Sequence, residues 1–283
     1  MRKRILLPTD FSKNAWNAIK YASELYKTEY IDFYILNAFK VESYDIESIF
    51  VAKPGDKEYD EGLEQSKKNL RKVFKMIELK NTYSNHTYSS MSIFGAPLDA
   101  IRATVELEDI DLVVIGSKGE TGAKSLIYGS TTIDAMEKVR NCPVLAIPNM
   151  ACYKEPKEIV FLTSFKTHFK RRELKYLYEI AKITNSAVRI LHINTEKQLT
   201  DLQKKNKDLL EEFLEGIDYA FTWLDNVSVN AGLEEFVRRR GSDIIVFINK
   251  EHSFSDSIFS RPLVNDLGAS SQIPVLVLHD LRN

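Results

Sequence analysis

The stretch from Gly116 to Thr131, with glycines at Gly116, Gly119, Gly122 and Gly129 and hydroxyls at Ser130 and Thr131, has the make-up of a phosphate cradle. Glycine lets backbone N–H groups approach an anion closely and permits the left-handed turns that point several of them one way. The apolar run Leu112 to Ile115 before the stretch reads as a strand, and Ser130 opens a helix. Unpaired N–H groups and the helix dipole would therefore meet at Gly129 and Ser130. No Gly-Lys-Ser/Thr closes the glycines, so this is not a Walker loop, and it lies too late in the chain, with the wrong spacing, for a dinucleotide fingerprint. A phosphate site and a purely structural glycine loop both remain open on composition alone.

The elements around the loop are α/β in character. Arg4 to Thr9 reads as a short buried strand, and Ser12 as the N-cap of a helix with apolar positions from Ala15 to Tyr26. Asp32 to Ala38 is a second strand whose unbroken apolar run means both faces are covered, as in a parallel sheet. A helix over Tyr59 to Leu79, a strand over Tyr88 to Ile93, a helix from Pro97 to Glu108, the strand before the glycine loop, a helix over Ser130 to Val139 and a strand Val144 to Ile147 complete the half. Right-handed crossovers make such an alternation an open parallel sheet with helices on both faces.

After a connector, Asn149 to Pro156, the pattern starts again. Ile159-Val160-Phe161-Leu162-Thr163-Ser164-Phe165 reproduces Ile5 to Phe11 at constant offset, and Ile273 to Leu278 answers Asn141 to Ile147. Between them the spacing predicts helices over Phe169 to Ile183, Lys197 to Glu215 and Leu233 to Arg239, with strands over Ala187 to Ile193, Tyr219 to Val227 and Asp243 to Ile248. The expectation is two tandem domains, residues 1–149 and 157–283, each an open parallel five-stranded sheet.

Other chemistries have little to stand on. A net charge of -1 gives no electrostatic footprint for nucleic acid, and the basic runs at Lys170 to Arg172 and Arg238 to Arg240 read as solvated helix faces. Cys142 and Cys152 are too few for a disulfide framework, and Cys142 reads as a small buried hydrophobe. No pair of the five histidines has metal-ligand spacing, and His192 reads as a packed strand residue. Asp109 and Asp111 read as solvated turn residues at a strand start. The absence of a secretory leader or membrane-length apolar run makes a cytoplasmic, membrane-free protein the expectation.

Gly116, two residues, Gly119, nine residues, then Gly129-Ser130 resembles the nucleotide-binding signature of the universal stress protein family, and Pro8-Thr9-Asp10-Phe11-Ser12 resembles that family's first-strand motif. The resemblance spans the chain as two tandem members. It implies an adenine nucleotide alpha hydrolase-like fold, and ATP, ADP or AMP held between the first and fourth strand ends, with Mg2+ as the accompanying ion. Carried over by position, Asp10 would meet the ribose or adenine, and the Ala38 backbone the adenine. Gly116, Gly119, Gly129, Ser130 and Thr131 would hold ribose and phosphates. It further implies pairing of the two halves through Val144–Ile147 and Val275–Leu278, leaving other surfaces for a homodimer. A metal site is not specified.

The second half departs from this pattern. Ile248, Glu251, Arg261 and Pro262 stand where Gly116, Gly119, Gly129 and Ser130 stand in the first, and Ser164 replaces Asp10. Proline lacks the N–H a phosphate needs, and Glu251 would repel it. No catalytic residue is identified, so binding is favoured. A weak ATPase or nucleotide-dependent enzyme, and a structural protein that binds no nucleotide, stand as alternatives.

Overall fold

The structure is a computed structural model and describes residues 2–40, 53–80, 83–117, 129–194, 198–225, 227–249 and 272–279. In the first half the elements run β1 (Lys3–Pro8), α1 (Lys13–Leu25), β2 (Ile31–Phe39), α2 (Lys57–Lys80), β3 (His86–Phe94), α3 (Pro97–Leu107), β4 (Leu112–Gly116), α4 (Ser130–Lys138) and β5 (Val144–Ile147). The second half follows with β6 (Glu158–Leu162), α5 (Arg171–Thr184), β7 (Ala187–Asn194), α6 (Asp201–Phe213), β8 (Tyr219–Asp225), α7 (Val229–Arg240), β9 (Ile244–Asn249) and β10 (Val275–His279).

Capping chemistry sets several of these boundaries. Ser12 accepts from the Ala15 N–H and starts α1, as its position before an apolar-periodic run predicts. α6 begins later than the polar run from Lys197 suggested, because Thr200 and Gln203 form a reciprocal capping box. α7 begins earlier than Leu233, because Ser228 accepts from the Ala231 N–H.

The strands form one sheet in the order β3-β2-β1-β4-β5-β10-β9-β6-β7-β8. Each half contributes its strands in the same internal order, with β1 or β6 at the crossover point. The expectation of two parallel sheets is refined at the junction. β5 and β10 pair antiparallel, Leu145 opposite Leu276, and make the sheet continuous and mixed.

Alternate strand residues divide into two apolar layers. Ile5, Leu7, Leu112 and Val114 share one layer with α1, α2, α5 and α6, and with Phe161, Leu276 and Leu278 of the second half. Leu6, Val113 and Ile115 share the other with α3, α4 and α7, and with Val160, Phe247 and Val277. Both layers cross the junction, so apolar burial as well as strand pairing joins the halves. No helix of the described residues is long and apolar enough to cross a membrane.

Polar contacts close the seam. Tyr176 of α5 donates to Asp111 Oδ1 at 3.2 Å, and the other oxygen of Asp111 accepts from the Arg4 N–H at 2.9 Å. Asp111 is thus a half-buried latch and not the solvated turn residue expected. Lys3 pairs with Glu179 and lies over the rings of Tyr26 and Tyr176, 5.3 and 5.0 Å from their centroids. Asn17 of α1 donates to the Ala151 carbonyl at 2.8 Å, holding the connector against the helix.

Candidate functional site

The C-terminal ends of β1 and β4 lie side by side where the strand order reverses, the place at which open parallel sheets present a crevice. At the end of β1 the chain folds into a tight polar turn. Thr9 N–H donates to the Leu36 carbonyl at 2.8 Å, and Phe11 N–H to Thr9 Oγ1 at 3.0 Å, with Phe11 in the left-handed region at φ 67°. Asp10 is exposed, and its Oδ1 accepts from the Ser12 N–H at 3.0 Å. The carboxylate therefore has a structural duty in the turn, and it stands at the mouth of the crevice.

At the end of β4, Gly116 meets the first turn of α1. A Cβ there would lie 2.8 Å from the Asn14 carbonyl oxygen and 3.1 Å from the Ala15 nitrogen, so only glycine lets the strand end and the helix approach this closely. Thr132 Oγ1 donates to the Gly116 carbonyl at 2.8 Å and ties α4 to the same strand end. Gly129 is the N-cap of α4 and offers no side-chain acceptor; the Thr132 N–H turns back to the Gly129 carbonyl at 3.1 Å, which leaves the N–H groups of Ser130 and Thr131 to solvent or a ligand.

Between these ends lies a cavity of about 120 Å³ lined by Thr9, Asp10, Ala38, Gly116, Thr131 and Thr132, with Pro8, Leu36, Pro97 and Ile101 among its apolar walls. Of the residues singled out from sequence, Asp10, Ala38, Gly116 and Thr131 line one cavity, and Gly129 and Ser130 form the helix start beside it. Gly119 lies outside the described residues. The sequence reading missed Pro97, Ile101 and Thr132. The i,i+4 spacing of Pro97 and Ile101 on one helix face was the available signal for the first two. Among the described residues no group of His, Cys, Asp and Glu side chains is gathered for a metal ion.

The second half repeats the turn and then fills it. Thr163 N–H donates to the Leu191 carbonyl at 3.0 Å, Phe165 N–H to Thr163 Oγ1 at 3.1 Å, and Phe165 sits at φ 56°. Asn37 donates to the Thr9 carbonyl at 2.8 Å in the first half; His192 Nδ1 takes the equivalent place 2.9 Å from the Thr163 carbonyl. α6 then clamps the turn, Gln203 donating to the Ser164 carbonyl at 2.9 Å and Asn206 to the Phe165 carbonyl at 2.7 Å. Phe165 is fully buried against His192 and Trp223, ring centroids 5.1 and 5.8 Å away. In the first half α2 reaches Asn37 through Ser66, at 2.7 Å.

Ile248 holds the position of Gly116 and packs half-buried against the apolar layer. Four more residues separate β6 from α5 than separate β1 from α1, which sets the helix start farther along the chain from that strand end. Glu251, Arg261 and Pro262 lie outside the described residues.

Titratable groups elsewhere fit structural duties. Burial pushes the Cys142 thiol well above its ordinary range, which suits a buried hydrophobe and not a nucleophile. Burial holds His192 below the usual imidazole range, as for a packed strand residue.

The universal stress protein family model matches residues 1–148. Two universal stress proteins of Methanocaldococcus jannaschii resemble the chain. One is 30% identical over 156 residues, covering 52% of this chain and 95% of its own. The other is 29% identical over 160 residues, covering 55% and 84%. A universal stress protein of Archaeoglobus fulgidus shares the fold across 98% of both chains, with a TM-score of 0.72 at 19% identity. The crevice at the β1 and β4 ends and the glycine at their meeting point thus belong to a chain that is a member of the universal stress protein family.

Proposed function

We propose that the chain is a tandem two-domain universal stress protein with an adenine nucleotide alpha hydrolase-like fold in each half. In this reading residues 1–149 bind ATP or another adenine nucleotide, residues 157–283 have lost that site, and the role is regulatory. The observation that carries the reading is the convergence of Asp10, Ala38, Gly116 and Thr131 on one cavity beside the uncapped start of α4.

The chemistry of the lining suits a nucleoside phosphate. Leu36, Pro97, Ile101 and Ile115 offer an apolar wall for a base. Asp10 stands where a ribose hydroxyl could donate to it, and the first turn of α4, with Ser130 and Thr131, offers donors to phosphate oxygens. Gly119 would join them, and Mg2+ would travel with a triphosphate. Asp10 is the single titratable residue among the described lining residues, which supports binding over catalysis.

Isothermal titration of the full chain with ATP, ADP and AMP tests the reading. A dissociation constant below roughly 0.1 mM, about -5.5 kcal/mol, is expected for at least one of them. Absence of heat at millimolar nucleotide would overturn it.

A further inference from the structure

The turn that carries Asp10 is held from behind by a chain of polar side chains. Asn37, near the C-terminal end of β2, donates through Nδ2 to the Thr9 carbonyl at 2.8 Å. Its Oδ1 accepts from the Ser66 hydroxyl of α2 at 2.7 Å, and Ser66 Oγ lies 2.9 Å from Ser92 Oγ of β3. Asn37 is 6% exposed and Ser66 3%, so water competes little for these bonds.

What each group can do fixes the direction of the chain. A carbonyl only accepts, so the amide nitrogen of Asn37 faces Thr9 and its oxygen faces α2. The Ser66 proton is then committed to Asn37, and Ser92 is the donor to Ser66. The flipped amide would set two oxygens against each other at Thr9, so one orientation alone satisfies every partner. Asn37, Ser66 and Ser92 do not line the cavity, whereas Thr9 and Asp10 both do.

The second half replaces the chain. Ser92 is the register partner of Asn37, and Trp223 that of His192. The Trp223 ring meets His192 edge-on at 5.1 Å, and α6 holds the turn directly through Gln203 and Asn206. The polar chain thus belongs to the half whose turn stays open. Asp10 is exposed there, and Phe11 is half-buried where Phe165 is fully buried.

We propose that Asn37 is a positioning residue for the nucleotide: its amide, fixed by Ser66 and Ser92, sets where Thr9 and Asp10 stand at the crevice. The inference rests on the nucleotide reading of that crevice. Asn37 acts on the ligand through the Thr9–Asp10 turn, and Ser66 acts through Asn37.

Calorimetry of the full chain with ATP, ADP and AMP reads the effect on binding, and amide hydrogen exchange of the free protein reads the turn. Asn37→Asp keeps the acceptor for Ser66 but sets a carboxylate oxygen against the Thr9 carbonyl, and should weaken the nucleotide roughly tenfold. Ser66→Ala frees the amide from a position outside the cavity and should weaken it roughly threefold. Asn37→His returns a donor to the Thr9 carbonyl, as His192 gives one to Thr163, and should recover affinity to within roughly threefold of the parent. Tyr176→Phe, at the seam, lowers stability alone and should leave affinity unchanged. In the free protein the Thr9 and Phe11 amides, bonded to the Leu36 carbonyl and Thr9 Oγ1, should exchange roughly tenfold faster in Asn37→Asp. A parent that binds none of the three nucleotides overturns the functional reading, and this inference with it, even where exchange quickens. A parent that binds, with affinity and exchange unmoved by Asn37→Asp and Ser66→Ala, overturns this inference alone. So does a loss of affinity in Tyr176→Phe equal to that in Asn37→Asp.

Discussion

Gly116 and the Asn14 carbonyl stand so close that a methyl group on the glycine would come within 2.8 Å of the oxygen. The obstacle is backbone in the first turn of α1, which is fixed by its Ser12 cap, so neither side yields cheaply. Gly116→Ala should lower unfolding free energy by about 1–3 kcal/mol, the usual cost of overpacking, read from urea midpoints at unchanged slope. It should also weaken nucleotide binding, because the displaced helix start is a wall of the cavity. An alanine variant as stable as the parent would show that the strand end and helix are not held at this distance.

Asp10 separates structural from ligand duty. Asparagine can keep the oxygen that accepts from the Ser12 N–H, and the site is exposed, so Asp10→Asn should change stability by less than about 0.5 kcal/mol. Nucleotide affinity, measured by calorimetry, should fall roughly tenfold with the loss of a charged acceptor. Equal affinity in the variant would leave the aspartate with its turn alone.

The Tyr176–Asp111 bond ties α5 to the first half across the seam. Tyr176→Phe removes the donor, while Asp111 keeps its bond from the Arg4 N–H, and should cost about 1 kcal/mol in denaturant unfolding. A double-mutant cycle with Asp111→Asn should return a coupling energy of about 0.5–1 kcal/mol. Strictly additive effects would show that the contact is not made in solution.

His279, at the end of β10, should contribute to loss of stability in acid. Burial, reinforced by the nearby Arg140 guanidinium, pushes its pKa down to about 3. The unfolded histidine titrates near about 6.5, so between these values the unfolded chain holds a proton that the folded chain does not. The contribution is intact above about pH 6.5 and is lost as pH falls toward about 3, at up to about 1.4 kcal/mol per pH unit. His86 and His192, also held low by burial, lose stability in the same direction. His279→Leu should flatten the fall in urea midpoint between about pH 6.5 and pH 4.5 by one proton's worth, with the His86 and His192 contributions remaining. An unchanged slope would mean that another group carries it.

Much of this protein was legible in local pattern. Unbroken apolar runs marked the strands because a strand covered on both faces has no polar side to show. Ser12 marked its helix because capping is decided within three residues. The repeat of Ile5 to Phe11 at Ile159 to Phe165 announced two like halves, and the glycine loop from Gly116, with Asp10 added by the family resemblance, pointed to the strand ends that the structure brings side by side. The departures came where partners are distant in sequence. Asp111 looked like a solvated turn residue because Tyr176, its partner, lies on another half's helix.

By itself, then, the sequence determined the elements, their repetition, the residue types at the crevice and the rewriting of the second loop at Ile248. Local geometry and hydrophobic periodicity depend on neighbours a few residues away, which a linear reading contains. Only the tertiary structure decided that β5 and β10 join antiparallel into one sheet, that Gly116 is required by Asn14, and that Gln203 and Asn206 clamp the turn at Ser164 and Phe165. It also decided that the connector sets Tyr153 against Tyr21 at one seam while Lys3 pairs with Glu179 over the Tyr176 ring at the other. Those outcomes rest on contacts between segments tens to more than a hundred residues apart, whose geometry exists only once the sheet has formed.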